Sequence, residues 1–294
     1  MKRFEEHFTL SHDGLRLFYR DYAGPPAQMP ARPPVLCIPG LSRNSRDFDF
    51  IAGHIAQTRR VLVTDLRGRG QSDYDPDPRN YSVPVETGDV MQILGTAGIA
   101  QVVVLGTSRG GVIAMTLAAL APAVLAGAIL NDMGAQLEAA GLERIYAVMR
   151  SPPSFSNWED AASALRRTNM ALFPNVSDER WRVFAHALYR EENGRVVGDY
   201  DPKFPGAILE GRGTNPRNPA GAADLWKWFG ALAAIPALVL RGENSELLSA
   251  ETIAAMKTAK PDLVSITVKD RAHVPFLDEP EAVFAIDAFL ERIA

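Results

Sequence analysis

The sequence predicts an α/β fold: a mainly parallel, doubly wound sheet with helices on both faces, interrupted by an inserted helical cap. Three observations carry this expectation. Short continuous apolar runs at 34–38, 60–64, 101–105 and 125–130 have the length and character of strands buried on both faces. Helix-like stretches at 48–57, 85–97 and 112–120 separate them, and alternation of this kind marks a parallel sheet with right-handed crossovers. The alternation stops after Asp132 and resumes only at residue 223, so the core is split in sequence.

In chain order, 4–10 and 15–22 flank His12-Asp13-Gly14 and read as a hairpin closed by an Asp-Gly turn. Residues 23–34 are proline-rich and aperiodic, hence a connecting loop. The strand 34–38 ends at Pro39-Gly40, and 60–64 runs into the glycine- and charge-dense loop 65–73. From 134 to 222, prolines 152, 153, 174, 202, 205, 216 and 219 break a helix-compatible stretch. Short helices are expected there at 143–149, 158–170 and 178–189, and the aromatics Tyr146, Trp158, Trp181, Phe184 and Tyr189 argue for packing. The core then resumes with helix 223–233 (carrying Trp226 and Trp228), strand 236–240, helix 250–258, strand 263–268 and an amphipathic helix at 280–293. The expected division is therefore a core of 1–133 and 223–294 with a cap of 134–222.

Composition bounds the function. The chain has 294 residues, 47% of them hydrophobic and 22% charged, as in globular proteins. With 31 basic and 35 acidic residues its net charge is −4, which offers no basic field for nucleic acid or an anionic membrane. Cys37 stands alone inside an apolar run, so no internal disulfide forms and a packing role is expected. Lys2 and Arg3 are not followed by an apolar segment, and no stretch reaches about 18 uncharged apolar residues. No signal peptide or membrane span is expected, and the expected address is cytoplasmic.

The chemistry centres on Gly106-Thr107-Ser108-Arg109-Gly110, between the strand 101–105 and the helix 112–120. A serine between two glycines at a strand-to-helix turn is the arrangement of a nucleophile elbow: the turn lifts the hydroxyl out of the sheet while the glycines let strand and helix pass closely. With 14 serines and 23 glycines, such a pattern arises by chance about 0.09 times in this composition. Ser108 needs a base, a group to orient the base, and donors for an oxyanion. Of histidines 7, 12, 54, 186 and 273, only His273 follows a core strand at its C-terminal end, where ligands bind in parallel sheets. For the acid, the order Ser…acid…His points to the loop after strand 236–240, making Glu246 the first candidate, with Asp132 and Glu243 as alternatives. The backbone N–H groups of Arg109 and Leu41 are the expected oxyanion donors, helped by the positive end of the helix that starts near Arg109.

On these residues the sequence resembles the α/β-hydrolase family across nearly its whole length. Ile38-Pro-Gly-Leu41 stands in place of the usual His-Gly oxyanion loop, and Asp65-Leu-Arg-Gly-Arg-Gly-Gln-Ser72 is similar to the family's Asp-x-Arg-Gly-x-Gly-x-Ser. Gly106–Gly110 and the segment Ala272-His273-Val-Pro-Phe-Leu-Asp-Glu-Pro280 complete the match. Two departures stand out. The family commonly has Gly-x-x-Asp after the seventh core strand; here Ser245 occupies that place with Glu246 beside it, and some relatives take the acid from the strand before the cap, where Asp132 stands. Arg109 stands where Met, Leu or Gln is common; its guanidinium would pair with a substrate carboxylate or, the favoured reading, with a carboxylate of the cap.

Ser108 separates the chain from haloalkane dehalogenases and epoxide hydrolases, which carry aspartate at the elbow. Scattered histidines fit no zinc spacing, and Gly68-Arg-Gly70 lacks the Gly-Lys-Ser/Thr of a phosphate cradle, so neither metal nor cofactor is expected. The expected partner is a small, partly apolar molecule, and the expected activity is hydrolysis of an ester, lactone or related carbonyl bond through an acyl-serine. Carbon–carbon bond hydrolysis, aminopeptidase action, acyl transfer and a cofactor-free peroxidase activity are alternatives on the same residues. A non-catalytic ligand receptor on the same fold is the alternative from another class.

Overall fold

The four apolar runs become the central strands β3 (Val35–Ile38), β4 (Val61–Thr64), β5 (Val102–Thr107) and β6 (Leu125–Asn131). The computed structural model describes residues 4–26, 32–210 and 225–293. The N-terminal hairpin, β1 (Glu5–Leu10) and β2 (Arg16–Tyr22), and the late strands β10 (Ala237–Gly242) and β11 (Val264–Val268) complete an eight-stranded sheet. Its order is β1-β2-β4-β3-β5-β6-β10-β11; β1 and β2 are antiparallel and the other pairings from β4 to β11 are parallel.

Alternate residues of the sheet face different helices. Val102 and Val104 belong to one buried cluster with α2 (Val83–Thr96) and α3 (Arg109–Leu120). Val103 and Leu105 belong to another, with α1 (Asp49–Ile55) and α10 (Pro280–Glu291). Both faces are thereby removed from water, which is why these strands read as unbroken apolar runs. Cys37 is fully buried in β3, and burial alone pushes its thiol well above the ordinary range.

Between β6 and β10 the chain forms α4 (Ala139–Arg150), α5 (Trp158–Asn169), α6 (Asp178–Leu188) and α7 (Phe204–Glu210). The insertion is not purely helical, as the sequence reading had it. β8 (Tyr189–Glu192) and β9 (Arg195–Gly198) form a hairpin, joined by the short β7 (Ser154–Phe155) in the order β7-β9-β8. Its turn is Asn193-Gly194, both at positive φ (50° and 71°), the Asn-Gly pairing that favours a two-residue hairpin turn. Prolines 216 and 219, the expected insertion end at 222, residues 223–224 of the expected helix 223–233 and residues 27–31 of the loop 23–34 lie outside the described residues. The rest of that helix is α8 (Leu225–Gly230), and α9 (Ala250–Ala259) follows β10.

The insertion is tied to the core by apolar and polar contacts. Trp181 is buried among Phe173, Phe276 and the half-buried Phe184, in edge-on and stacked aromatic pairs worth about 0.5–1.5 kcal/mol each. Asn44 donates through Nδ2 to the Ala187 carbonyl (3.0 Å), Arg46 pairs with Asp199 (2.7 Å), and Tyr81 donates its hydroxyl to Asp201. Among the described residues, no helix is long and apolar enough to cross a membrane.

The loop 65–73 is held by Arg67, whose guanidinium pairs with Asp89 (2.6 Å), Asp75 (2.6 Å) and Asp13 (2.8 Å). Hydrogen bonding to Arg67 holds the Asp13 carboxyl down at about 2. Because an unfolded aspartate titrates near about 3.9, this stabilisation is present above that pH and is lost as pH falls toward 2. The stability advantage of wild type over Asp13→Asn, measured from urea midpoints, is therefore expected to be full at pH 6 and clearly smaller at pH 3.

Candidate active site

At the end of β5 the chain turns directly into α3, and the turn leaves no room for side chains. A Cβ on Gly106 would overlap the backbone of Gly110, and one on Gly110 would overlap the carbonyl of Ile38 at the end of β3. Ser108, between them, has φ 50° and ψ −110°, a region L-residues rarely occupy. The surrounding bonds over-determine it. Its N–H donates to the Asn131 carbonyl (3.0 Å) and its own carbonyl accepts from Gly111 (2.8 Å) and Val112 (3.2 Å).

The structure brings Ser108, His273 and Asp132 together. His273 Nε2 lies 2.9 Å from Ser108 Oγ, and Nδ1 lies 2.8 Å from Asp132 Oδ2. An ionised carboxylate only accepts, so Nδ1 carries the proton and donates to Asp132, leaving the Nε2 lone pair facing the serine hydroxyl. Asp132 is fully buried at the end of β6, with φ 51°. Its oxygens are otherwise satisfied by the Gly242 N–H on Oδ1 (2.8 Å) and the Ser245 hydroxyl on Oδ2 (2.6 Å).

The first-choice acid of the sequence reading lies elsewhere. Glu246 is exposed and pairs with Arg144 (3.0 Å), and Glu243 accepts from the Asp270 N–H (3.0 Å). Ser245, at the position where the family's aspartate was expected, donates to Asp132 instead. β6 and β10 are parallel neighbours, so their C-terminal ends present adjacent positions to the same imidazole, and the carboxylate comes from the first of them. The other histidines stay apart from Ser108: His7 lies in β1 beside Glu5, His12 is exposed in the hairpin turn, His54 pairs with Asp287, and His186 stacks on Trp158.

Leu41 follows Gly40 beside Ser108; a Cβ on Gly40 would lie 3.8 Å from Ser108 Cβ. Arg109 is the first residue of α3, a position whose N–H has no intrahelical acceptor. Both backbones are thus placed beside the serine. Among the described residues the Arg109 side chain pairs with a carboxylate of the core, not with one of the insertion as expected. Its Nε bonds Glu86 of α2 (2.6 Å) and its Nη2 the Tyr81 carbonyl (3.2 Å). Glu86 is fully buried and also pairs with the fully buried Arg69 (2.8 Å). Burial opposes ionisation of Glu86, but Arg109 and Arg69 outweigh it and hold the carboxyl below its ordinary range. Sequence reading missed Ser245, Glu86 and Arg69 as members of this environment. Charged residues inside an otherwise amphipathic helix or a glycine-rich loop look like solvated surface.

A cavity of about 480 Å³ opens beside the serine turn, lined among others by Thr107, Asn131, Pro275, Phe276, Phe184 and Arg180. Ser108, Asp132 and His273 are not among its lining residues; the cavity lies between α6 and the core segments that neighbour them in sequence.

Fold and site define a class. The chain belongs to the α/β-hydrolase family, whose profile matches residues 35–286. More particularly, it is 34% identical over 280 residues to a 3-hydroxybutyrate-oligomer hydrolase of Cupriavidus necator, covering 93% of this chain and 92% of that protein. It is 40% identical to an α/β hydrolase of Novosphingobium aromaticivorans whose crystal structure superposes with a TM-score of 0.89 over the full length of both chains. A 2-(acetamidomethylene)succinate hydrolase of Mesorhizobium japonicum is 24% identical over 262 residues, 88% of each chain.

The steric argument at the turn is open to test. Gly110→Ala is expected to lower stability by about 1–3 kcal/mol through overpacking against Ile38, read as a lowered urea midpoint. The matched change Gly88→Ala, where a Cβ meets nothing within 4 Å, is expected to leave the midpoint unchanged or raise it.

Proposed function

We propose that the chain is a serine esterase acting on short oligomeric esters of small hydroxy acids, with 3-hydroxybutyrate oligomers as the leading substrate. The observation that carries the reading is the unbroken hydrogen-bond chain from Ser108 Oγ through His273 to the buried Asp132 carboxylate. The relative from Cupriavidus necator supports the substrate class, through similarity along almost the whole of both chains.

In this mechanism His273 Nε2 takes the Ser108 proton as Oγ attacks the ester carbonyl. The negative charge passes to the carbonyl oxygen, which the Leu41 and Arg109 N–H groups receive. Collapse of the tetrahedral intermediate breaks the C–O bond, and His273 protonates the departing alkoxide, which leaves as the hydroxyl end of the shortened oligomer. A water deprotonated by His273 then attacks the acyl-serine, and the second collapse returns the proton to Ser108 and releases the acid. Asp132 holds the imidazole tautomer and stabilises the transient imidazolium. The insertion between β6 and β10 serves in this reading as a cap that limits access of bulk water to the substrate on Ser108.

A fluorophosphonate probe is expected to label wild type and not Ser108→Ala. Wild type is expected to release monomer from dimers and trimers of 3-hydroxybutyrate faster than it cleaves lactones or dienoic keto acids. Absence of labelling in the wild type sinks the reading; labelling without oligomer cleavage sinks only the substrate. Asp132→Asn is expected to reduce kcat by about 10³–10⁴, whereas Glu246→Gln stays within about tenfold; the reverse pattern in steady-state kinetics would return the acid to Glu246.

A further inference from the structure

We propose that Glu86 is a positioning residue for the oxyanion hole, holding both donor-bearing residues in register through Arg69 and Arg109. The proposal rests on the serine-esterase reading above and extends it to residues that touch no substrate.

The two oxygens of this fully buried carboxylate are shared between two cations. Oε1 accepts from Arg69 Nη1 (2.8 Å) and Oε2 from Arg109 Nε (2.6 Å). Arg69 in turn donates through Nε to the Leu41 carbonyl (2.9 Å) and through Nη1 to the Arg67 carbonyl (2.6 Å). One carboxylate is therefore a single guanidinium away from the backbone of Leu41 and directly bonded to the side chain of Arg109. These are the two residues whose N–H groups are assigned to the oxyanion. They belong to separate segments, the loop after β3 and the first position of α3, and no strand pairing fixes one relative to the other beyond Ile38.

Stability alone is a poor account of this arrangement. Buried ion pairs replaced by well-packed apolar groups often leave a protein as stable or more so. Here the network is not even fully satisfied: Arg69 Nη2 is buried without a hydrogen-bond partner, and the guanidinium instead lies 4.0 Å from the Phe204 ring centroid. What the network supplies is directional bonding between two backbone segments. An oxyanion hole needs that, because its donors must meet an oxygen whose charge exists only in the transition state. The same geometry accounts for arginine at the position after the nucleophile, since a shorter or uncharged side chain there would not bridge to α2.

The test separates positioning from mere support of the fold. Arg109→Met, Arg109→Lys and Glu86→Gln are compared with wild type for kcat and KM on p-nitrophenyl butyrate and for inhibition by a trifluoromethyl ketone, whose hemiketal mimics the oxyanion. Active sites are counted by fluorophosphonate titration. Arg109→Met is expected to lower kcat about tenfold, less than the 10²–10³ that follows loss of a donor, with KM within about threefold and inhibitor affinity falling in parallel with kcat/KM. Arg109→Lys is expected to recover most of the loss, and Glu86→Gln to exceed it. If kcat per titrated site and inhibitor affinity stay within twofold of wild type while only the melting temperature falls, the network is structural and the proposal is overturned. Should Glu86→Gln not fold, the Arg109 pair decides, because Glu86 there keeps its bond to Arg69. A wild type that is not labelled at all refutes the esterase reading itself, a result distinct from every outcome above.

Discussion

The absence of room for a Cβ where α3 crosses β5 and β3 is the constraint on which the site depends. Gly106 and Gly110 allow the helix backbone to lie against the strands, and this contact fixes several things together. It forces Ser108 into a left-handed conformation that sets its hydroxyl above the sheet, and it presses the start of α3 onto the end of β3, from which Gly40 and Leu41 emerge. The Ser108 N–H continues the β5–β6 ladder onto the Asn131 carbonyl, so the end of β6 is registered against Ser108. Asp132 is the next residue.

From there the site is completed by parallel topology. β5, β6 and β10 run side by side and end at the same edge, so Ser108, Asp132 and the loop bearing His273 converge without His273 being near the others in sequence. Such a sheet can take the carboxylate from either of two neighbouring strands. In this chain β6 supplies Asp132 and β10 supplies a serine that donates to it, so the two positions cooperate. Glu246, one residue further, points to Arg144 and water.

Around this edge lie two clusters of buried charge. Arg67 gathers three aspartates at the loop 65–73, and Arg69 and Arg109 share Glu86 beside the loop that follows β3. Burying such groups costs several kcal/mol per ion before pairing offsets it. Pairing of each carboxylate with a guanidinium offsets that cost, and the clusters lie where irregular backbone must be held in one geometry.

The sequence by itself determined the α/β class, the order of strands and helices in the core and the strand–serine–helix turn, and it singled out His273 as the histidine to expect beside Ser108. These features are written in local patterns: apolar runs of strand length, glycines at a steric contact, a histidine after the last strand. It left open which of three carboxylates meets His273, and misjudged what Arg109 binds and whether the insertion is all helical. Asn193-Gly194 was a legible hairpin signal overlooked among helix-forming neighbours. The other two were not legible, because pairing of Asp132 with His273 and of Arg109 with Glu86 spans 141 and 23 residues and depends on which strand ends and helix turns become neighbours. Charge–charge partnership is a property of that three-dimensional adjacency, whereas burial periodicity and turn chemistry are properties of a few consecutive residues.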